Sequence, residues 1–257
     1  MLSVDADRNR ALFRAVQDFA ASARTIDTID GLRDAVADIT GWLGFDRFAI
    51  VSHVDFGRVV PAIKLTNYPV EMVGLLRDHG LVRDPVLRAS ERASIGFSWD
   101  QLAMLVTPRE GDEEYLAQCA RLGMAAGFTV PNNVPGEILG SSNFAVGDAS
   151  RLPRDSFAAA QSVGAFAFEA ARRLVGRAGL EGPAPDPMPL SQRQRDCLIQ
   201  VARGKSDSVI AEILGLRPRT VNEYIENAKR RYVVATRQQL VVRALFRSEI
   251  SFSEVLN

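Results

Sequence analysis

The stretch AEILGLRPRTVNEY, residues 211–224, predicts the end of one helix, a sharp turn and the beginning of another. Gly215 ends the first helix. The residues from Leu216 to Arg219 form the turn, and Thr220 can cap the second helix, which runs through Arg231. The function of this pair of helices depends on which side chains the second helix exposes.

One side of the second helix is apolar and the opposite side is polar. At 100° per residue, the side that faces a core holds Val221, Ile225, Ala228 and Tyr232. The outward side holds Glu223, Glu226, Asn227 and Arg230, flanked by Asn222 and Lys229. Such a face fits the DNA major groove, where Asn pairs with adenine, Glu accepts from cytosine and Arg reaches guanine or phosphate. A polar face that is merely solvated is the alternative interpretation.

The C-terminal segment is also the basic part of a neutral chain. The 257 residues hold 31 Lys and Arg against 31 Asp and Glu, but from Leu190 onward the counts are 12 and 7. The basic residues around the second helix are Lys205, Arg217, Arg219 and Arg231. They favour DNA binding over a solvated face, and they would supply affinity while the glutamates, which repel phosphate, point at bases.

Two more short helices complete this unit. The first is N-capped by Ser191 and runs to Gly204, Ser206 caps the helix before the turn, and RQQLVVRALF at 237–246 forms the last helix. We therefore predict an all-α domain of four helices.

The preceding part of the chain predicts a domain of mixed helices and strands. Helical periodicity occurs at 11–23, 29–44, 69–80, 112–123 and 157–176, and strand patterns at 47–54, 58–65, 126–131 and 137–146. The strands form two hairpins, turned by DFG and by Asn-Asn-Val-Pro-Gly. We predict an α+β domain, an α/β/α sandwich with an antiparallel sheet, which can hold a small-molecule pocket between sheet and helices.

A linker separates the two domains. GRAGLEGPAPDPMP, residues 176–189, holds three Gly and four Pro, which neither continue a helix nor alternate like a strand. The predicted domains are a sensor at 1–175 and a DNA-binding domain at 190–257.

Composition and motifs predict a soluble, cytoplasmic protein that is not an enzyme. The N-terminus lacks the apolar core of a signal peptide, and charges interrupt the long apolar runs. Cys119 and Cys197 lie far apart and only two His are present, so we expect no metal or other cofactor. HExxH, GxSxG and P-loop motifs are absent. His79 with Asp78 and Asp84 is the remaining enzymatic alternative, and it lacks a nucleophile at a suitable spacing.

Residues 190–246 resemble the LuxR-type helix-turn-helix along their whole length. GK-S at 204–206, AEILG at 211–215, RTVN at 219–222 and A-x-x-R-Y at 228–232 match in place. Gln192 and Gln194 stand where that family has Pro and Glu, which would weaken a structural salt bridge or hydrogen bond, although Gln can still accept one. The DNA-binding residues that we expect are Lys205, Arg217, Arg219, Thr220, Asn222, Glu223, Glu226, Asn227 and Arg230.

Residues 8–175 resemble the autoinducer-binding domain of the quorum-sensing members of that family. The anchors are NYP at 67–69, DPV at 84–86, FSW at 97–99 and GFTVP at 127–131. The resemblance implies that Asp84 accepts from the amide of an acyl-homoserine lactone, that Tyr68 lies along the acyl chain and that Trp99 walls the lactone. Asn143 occupies a position where a small polar residue often meets the ligand's polar head.

Two positions depart from the family pattern. Met72 replaces the Trp that donates to the lactone carbonyl, and Leu76 replaces a Tyr one helical turn later. Neither side chain can donate, so a buried lactone carbonyl would lose about 1 to 3 kcal/mol. We expect most acyl-homoserine lactones to bind poorly, as in orphan members tuned to plant-derived or other non-lactone signals, with Met72 and Leu76 as apolar wall. The alternatives are that Tyr68, Trp99, Met72 and Leu76 are simply core residues and that Asp84, before Pro85, is a helix N-cap.

The sequence therefore predicts a cytoplasmic transcription regulator. Its sensor domain binds a small, largely apolar effector, and its DNA-binding domain binds a palindromic site on double-stranded DNA as a homodimer. RNA polymerase is a further candidate partner, and no membrane is expected. The alternatives are a ligand-independent regulator whose N-terminal domain serves only dimerisation, and an enzyme fused to a helix-turn-helix.

Overall fold

The structure is a computed structural model that describes residues 2–53, 63–72, 75, 84–134, 139–178 and 189–256. These residues divide into two compact units, the first holding residues up to 133 and from 139 to 178, the second holding 189–256. None of the helices within these ranges is long and apolar enough to cross a membrane. Several predicted features fall wholly or partly on the other residues: the helix at 69–80, the strand at 58–65, the DFG and 132–136 turns, the linker, Leu76, and His79 with Asp78.

The first unit is built on a five-stranded antiparallel sheet of strand order β2-β1-β5-β4-β3. The strands are β1 (Arg47–Ser52), β2 (Lys64–Thr66), β3 (Phe97–Ser98), β4 (Ala126–Asn132) and β5 (Gly140–Val146). The predicted strand pairs are antiparallel in the structure: β1 pairs with β2, which overlaps the end of the predicted strand at 58–65, and β4 pairs with β5. The pairing of β1 with β5 joins them into one sheet. The two-residue strand β3 was not predicted, because a segment this short shows no alternating pattern.

Helices cover both faces of the sheet, which confirms the α/β/α sandwich. They are α1 (Leu2–Thr25), α2 (Ile29–Trp42), α3 (Pro85–Ser90), α4 (Leu102–Leu105), α5 (Asp112–Arg121) and α6 (Phe157–Ala178). On one face α6 packs against β4 and β5, and α2 packs against β1. Alternate residues of β5 point to the opposite face, where Ala145 lies in one buried cluster with Tyr115 of α5. We call the region between the sheet and α3 to α5, where the sequence predicts an effector pocket, the effector layer.

The second unit consists of short helices around one apolar core. The helices are α7 (Gln192–Ala202), α8 (Asp207–Leu214), α9 (Pro218–Tyr232), α10 (Arg237–Phe246) and α11 (Phe252–Leu256). The four predicted helices are confirmed, with Ser191 and Ser206 as N-caps and Gly215 in the left-handed conformation after α8. The short helix α11 is an addition to the prediction.

The prediction that Thr220 caps the second helix of the helix-turn-helix was wrong. This helix, α9, begins three residues earlier, with Arg217 as N-cap and Pro218 as its first residue. Proline suits this position because its fixed φ is helical and its missing N–H would have no partner in the first turn. Thr220 is therefore a residue of the first helical turn.

Gln194, at the beginning of the second unit, takes part in the hydrogen bonds that cap α7. Gln194 Oε1 accepts from the backbone N–H of Ser191 at 3.0 Å, while Ser191 Oγ accepts from the backbone N–H of Gln194 at 3.3 Å. Nη1 of Arg231 donates to Gln194 Oε1 at 3.4 Å and to the carbonyl of Pro189 at 2.8 Å. A neutral side chain thus completes this capping box.

The residue that ends α9 generates a prediction about stability. Val233 has φ 51 and ψ 52, a conformation that costs a β-branched residue about 1 to 2 kcal/mol and that glycine adopts freely. Its side chain is 81% exposed, so little packing is lost on truncation. We expect Val233→Gly to raise the free energy of unfolding by about 1 kcal/mol in urea titrations. The matched control is Val242→Gly, an exposed position inside α10, which should lower it by a similar amount; equal losses in both variants would contradict strain at Val233.

Candidate effector site and nucleic-acid interface

Asp84 is buried at the beginning of α3 and uses both carboxylate oxygens. Oδ1 accepts from the backbone N–H groups of Val86 at 2.8 Å and Leu87 at 3.3 Å, so Asp84 is the N-cap of α3. Oδ2 accepts from the hydroxyl of Tyr115 at 2.8 Å. A carboxylate oxygen can accept more than one hydrogen bond, so the capping role leaves Oδ2 able to accept from a ligand as well.

The two tyrosines and the cysteine near Asp84 are neutral. Burial raises the pKa of Asp84, against the opposing effects of Tyr115, the helix N–H groups and the charge of Arg88. Burial and the nearby Asp84 carboxylate likewise raise the pKa values of Tyr68 and Tyr115 and raise that of Cys119 to about 12. These three side chains therefore offer hydrogen bonds but no charge at neutral pH.

An apolar cluster adjoins this carboxylate. Its buried members are Met72, Tyr115, Cys119, Met124 and Ala145, and Tyr68, Leu75, Trp99, Leu116 and Leu122 pack against it. The structure thus brings the predicted residues Tyr68, Met72 and Trp99 together, and Tyr115 links them to Asp84. Met72 is only 5% exposed, as expected of an apolar wall.

Trp99 and Asn143 belong to one chain of hydrogen bonds on the sheet. Trp99 Nε1 donates to Thr129 Oγ1 at 2.9 Å, and Thr129 Oγ1 donates to Asn143 Oδ1 at 2.8 Å. Nδ2 of Asn143 donates to the carbonyl of Ala49 at 3.1 Å and to Ser141 Oγ at 3.0 Å. The amide of Asn143 is therefore partnered within the protein, and Trp99 offers its ring rather than its N–H.

Gly127 lets the Trp99 ring lie against β4. A Cβ atom at Gly127 would stand 2.6 Å and 2.7 Å from two atoms of that ring, closer than real contacts allow. The glycine of the GFTVP anchor is thus required by the position of the indole.

Sequence reasoning missed Tyr115 and Thr129. Tyr115 and Cys119 are one helical turn apart in an amphipathic segment, which predicts burial but not a hydrogen bond to Asp84. A buried ion pair between Arg88 and Asp112 joins the same two helices, with Arg88 one turn after Asp84 in α3 and Asp112 one turn before Tyr115 in α5. The pairing of α3 with α5 is a tertiary contact that local sequence patterns do not reveal.

The helix α9 has the buried apolar side and the outward polar side that its sequence predicted. Val221, Ile225, Ala228 and Tyr232 are buried in the core of the second unit. The exposed residues around α9 are Lys205, Arg217, Arg219, Asn222, Glu223, Asn227 and Arg230, with Thr220, Glu226 and Lys229 half-buried. The helix before the turn and the buried stripe of α9 together hold this polar face outward.

Each glutamate on that face has a basic partner. Arg219 Nε lies 3.1 Å from Glu223 Oε1, and Lys229 Nζ lies 2.8 Å from Glu226 Oε1. Arg230 donates to Asn227. The pair of Arg219 with Glu223 is exposed and contributes only about 0 to 1 kcal/mol, so it can be exchanged for contacts with a ligand, whereas the pair of Lys229 with Glu226 is half-buried. The pairing lowers the repulsion that free glutamates would exert on phosphate.

The fold places a domain of sheet and helices and a domain with a helix-turn-helix in one chain. The family description "Autoinducer binding domain" matches residues 28–174, and "Bacterial regulatory proteins, luxR family" matches residues 188–244. The chain belongs to the LuxR family of bacterial regulatory proteins and carries an autoinducer binding domain.

Known relatives cover most of the chain. It is 26% identical over 223 residues to the transcriptional activator protein AhyR of Aeromonas hydrophila, covering 84% of each protein. Its fold matches that of Escherichia coli SdiA with a TM-score of 0.66 and 22% identity, covering 93% of this chain and 98% of SdiA. SdiA in complex with octanoyl-rac-glycerol matches with a TM-score of 0.64 and 21% identity, covering 91% and 95%.

The raised pKa of Asp84 generates a prediction about pH. Because the folded pKa lies above the ordinary 3.8, ionisation of Asp84 costs stability as the pH rises from 3.8 through the folded value. We expect the free energy of unfolding of the wild type, relative to Asp84→Asn, to fall over that interval and to level off above it. Urea unfolding at a series of pH values measures this difference.

A second variant serves as the comparison. In Tyr115→Phe the carboxylate loses a donor that favours its charged form, so the loss of stability with pH should be larger than in the wild type. Curves for all three proteins that run parallel across the interval would show that Asp84 does not titrate with folding.

Proposed function

We propose that the chain is a cytoplasmic transcription regulator that binds a small effector in its first domain and palindromic double-stranded DNA, as a homodimer, through its second. The observation that carries this proposal is the polar face of α9, held outward by its buried stripe and edged by basic residues. One such module buries too little surface for tight specific binding, which favours a dimer on a two-fold site. DNA-bound activators act on RNA polymerase, which would be the further partner.

The effector that fits the layer around Asp84 is mainly apolar and carries an N–H group such as an amide. Oδ2 of Asp84 is the acceptor, Tyr68 and Trp99 are the aromatic walls, and Met72 is an apolar wall. Asn143 would act through Thr129 and Ser141 rather than by direct contact. The complex of SdiA with octanoyl-rac-glycerol supports a ligand with an acyl chain of medium length and no lactone ring.

Effector binding would control the protein by linkage. A ligand that binds only the folded first domain stabilises that domain, and with it the dimer, in proportion to its concentration over Kd. The boundaries 1–175, 176–189 and 190–257 would separate sensor, linker and DNA-binding domain. We assign no catalytic activity, since the relatives are transcriptional regulators.

A second candidate function is a ligand-independent regulator whose first domain serves only dimerisation. The hydrogen bonds from Trp99 through Thr129 to Asn143 favour it, because these polar groups already have protein partners. Thermal melting of the full chain with a broad panel of lactones and plant-derived amides separates the two. A rise in Tm with any compound supports the effector, and a panel without any shift supports the filled core.

The face of α9 generates a prediction about DNA. Glu226→Ala should relax base preference, because a carboxylate accepts from cytosine only. Arg219→Ala should weaken binding to all sequences alike and reduce the slope of log K against log salt by about 1. Fluorescence anisotropy on a selected site and on single-base variants, at several salt concentrations, measures both effects. Equal losses on every site for both variants would remove the assignment of Glu226 to base reading.

Met72 generates a prediction about lactones. Met72→Trp restores the indole N–H that the family pattern places there, so the Kd for acyl-homoserine lactones should improve about tenfold. Met72→Phe is the matched control, since it adds an aromatic ring without a donor and should give no such gain. Isothermal titration calorimetry measures the change, and equal affinities for the Trp and Phe variants would contradict the donor argument.

A further inference from the structure

A buried histidine shares the face of the sheet that carries the effector layer. His53 directly follows β1, its side chain is 5% exposed, and Nε2 lies 2.9 Å from Ser141 Oγ. Among the described residues Nδ1 has no hydrogen-bond partner, and Oε1 of Glu91 lies 3.7 Å from it, beyond hydrogen-bond distance. Buried polar atoms in proteins are nearly always paired, so an unpaired one calls for an explanation such as a bound group.

The hydroxyl of Ser141 can donate to Nε2 of His53. Ser141 Oγ accepts from Nδ2 of Asn143, and we assign its own hydroxyl proton to the hydrogen bond with Nε2. Burial lowers the pKa of His53 to about 4, which keeps the ring neutral near pH 7. With Nε2 as the acceptor, the single ring proton is on Nδ1. His53 therefore presents one N–H donor.

His53 and Asp84 lie at opposite ends of α3. Asp84 is the N-cap of this helix, and Glu91, which Nδ1 of His53 approaches, is its C-cap. Seven helical steps separate the two caps, which is roughly 10 Å at 1.5 Å per residue. The hydrogen-bond chain from Thr129 through Asn143 and Ser141 runs across the sheet and ends at His53. The effector layer thus has a polar group at each end.

We propose that His53 and Glu91 form a second polar subsite, which binds a hydroxyl group on the end of the effector remote from Asp84. The hydroxyl oxygen accepts from Nδ1–H of His53, and the hydroxyl proton is donated to the carboxylate of Glu91. The side chain of Glu91 is 47% exposed, so it can adjust to such a group. The effector is then an apolar chain or ring with an amide at one end and an alcohol or phenol at the other. This inference rests on the proposed effector-binding function.

Paired probes test the subsite on the wild-type full chain. Acyl-homoserine lactones and N-alkyl acyl amides of increasing chain length are each compared with the same molecule carrying a terminal hydroxyl. We expect a tenfold or greater gain in affinity from the hydroxyl at the chain length that spans roughly 10 Å, and no gain at shorter lengths. Isothermal titration calorimetry gives the Kd of each member of a pair.

Three variants test whether His53 and Glu91 cause the gain in affinity. His53→Phe keeps a ring but removes the donor, so the hydroxyl should no longer improve affinity while the hydroxyl-free probe binds as before. Glu91→Gln retains an acceptor and should keep most of the gain, whereas Glu91→Leu should lose it. Because the probe pairs are first compared on the wild type, the proposal stays testable even when a His53 variant does not fold.

The outcomes separate the subsite from the proposed function. Hydroxyl-free probes that bind wild type, bind Asp84→Asn more weakly and gain nothing from the hydroxyl at any length overturn the subsite and leave the effector-binding function standing. If no probe binds, the subsite and the effector class fail together. The DNA-binding function is then judged separately, by the anisotropy titrations with Arg219→Ala.

Discussion

The buried carboxylate of Asp84 is the constraint on which the effector layer depends. A charge removed from water costs several kcal/mol unless hydrogen bonds and nearby charges compensate for it. Here the N-terminal N–H groups of α3, the hydroxyl of Tyr115 and the charge of Arg88 offset part of that cost, while burial still keeps the pKa of Asp84 raised. The same contacts hold α3 against α5. The burial of one carboxylate therefore determines where the helices on this side of the effector layer lie.

The second unit was predicted more completely than the first, and the reason is physical. Its helices are amphipathic, and α7, α8 and α10 begin at the N-caps Ser191, Ser206 and Thr236, so local sequence defines them. The error at Thr220 arose because proline at the first helical position was read as part of the turn. In the first unit the pairing of β1 with β5 and the hydrogen bond from Tyr115 to Asp84 connect residues far apart in sequence, and neither leaves a local pattern.

Both candidate sites hold their polar groups in place with internal partners. On the sheet, Trp99, Thr129 and Asn143 are joined in sequence, and on α9 each glutamate pairs with Arg219 or Lys229. The buried network keeps its side chains rigid, because unmaking a buried hydrogen bond is costly. The exposed pair of Arg219 with Glu223 is weak and is readily exchanged when another partner arrives. Burial therefore makes the network on the sheet rigid, and exposure leaves this pair on α9 exchangeable.

The hydrogen bond from Arg231 to the carbonyl of Pro189 has a mechanical consequence. It fastens the first residues of the second unit to the last turn of α9, the helix that carries the polar face. The entrance of this unit and that helix are therefore joined directly, and a displacement of one within the unit would be transmitted to the other.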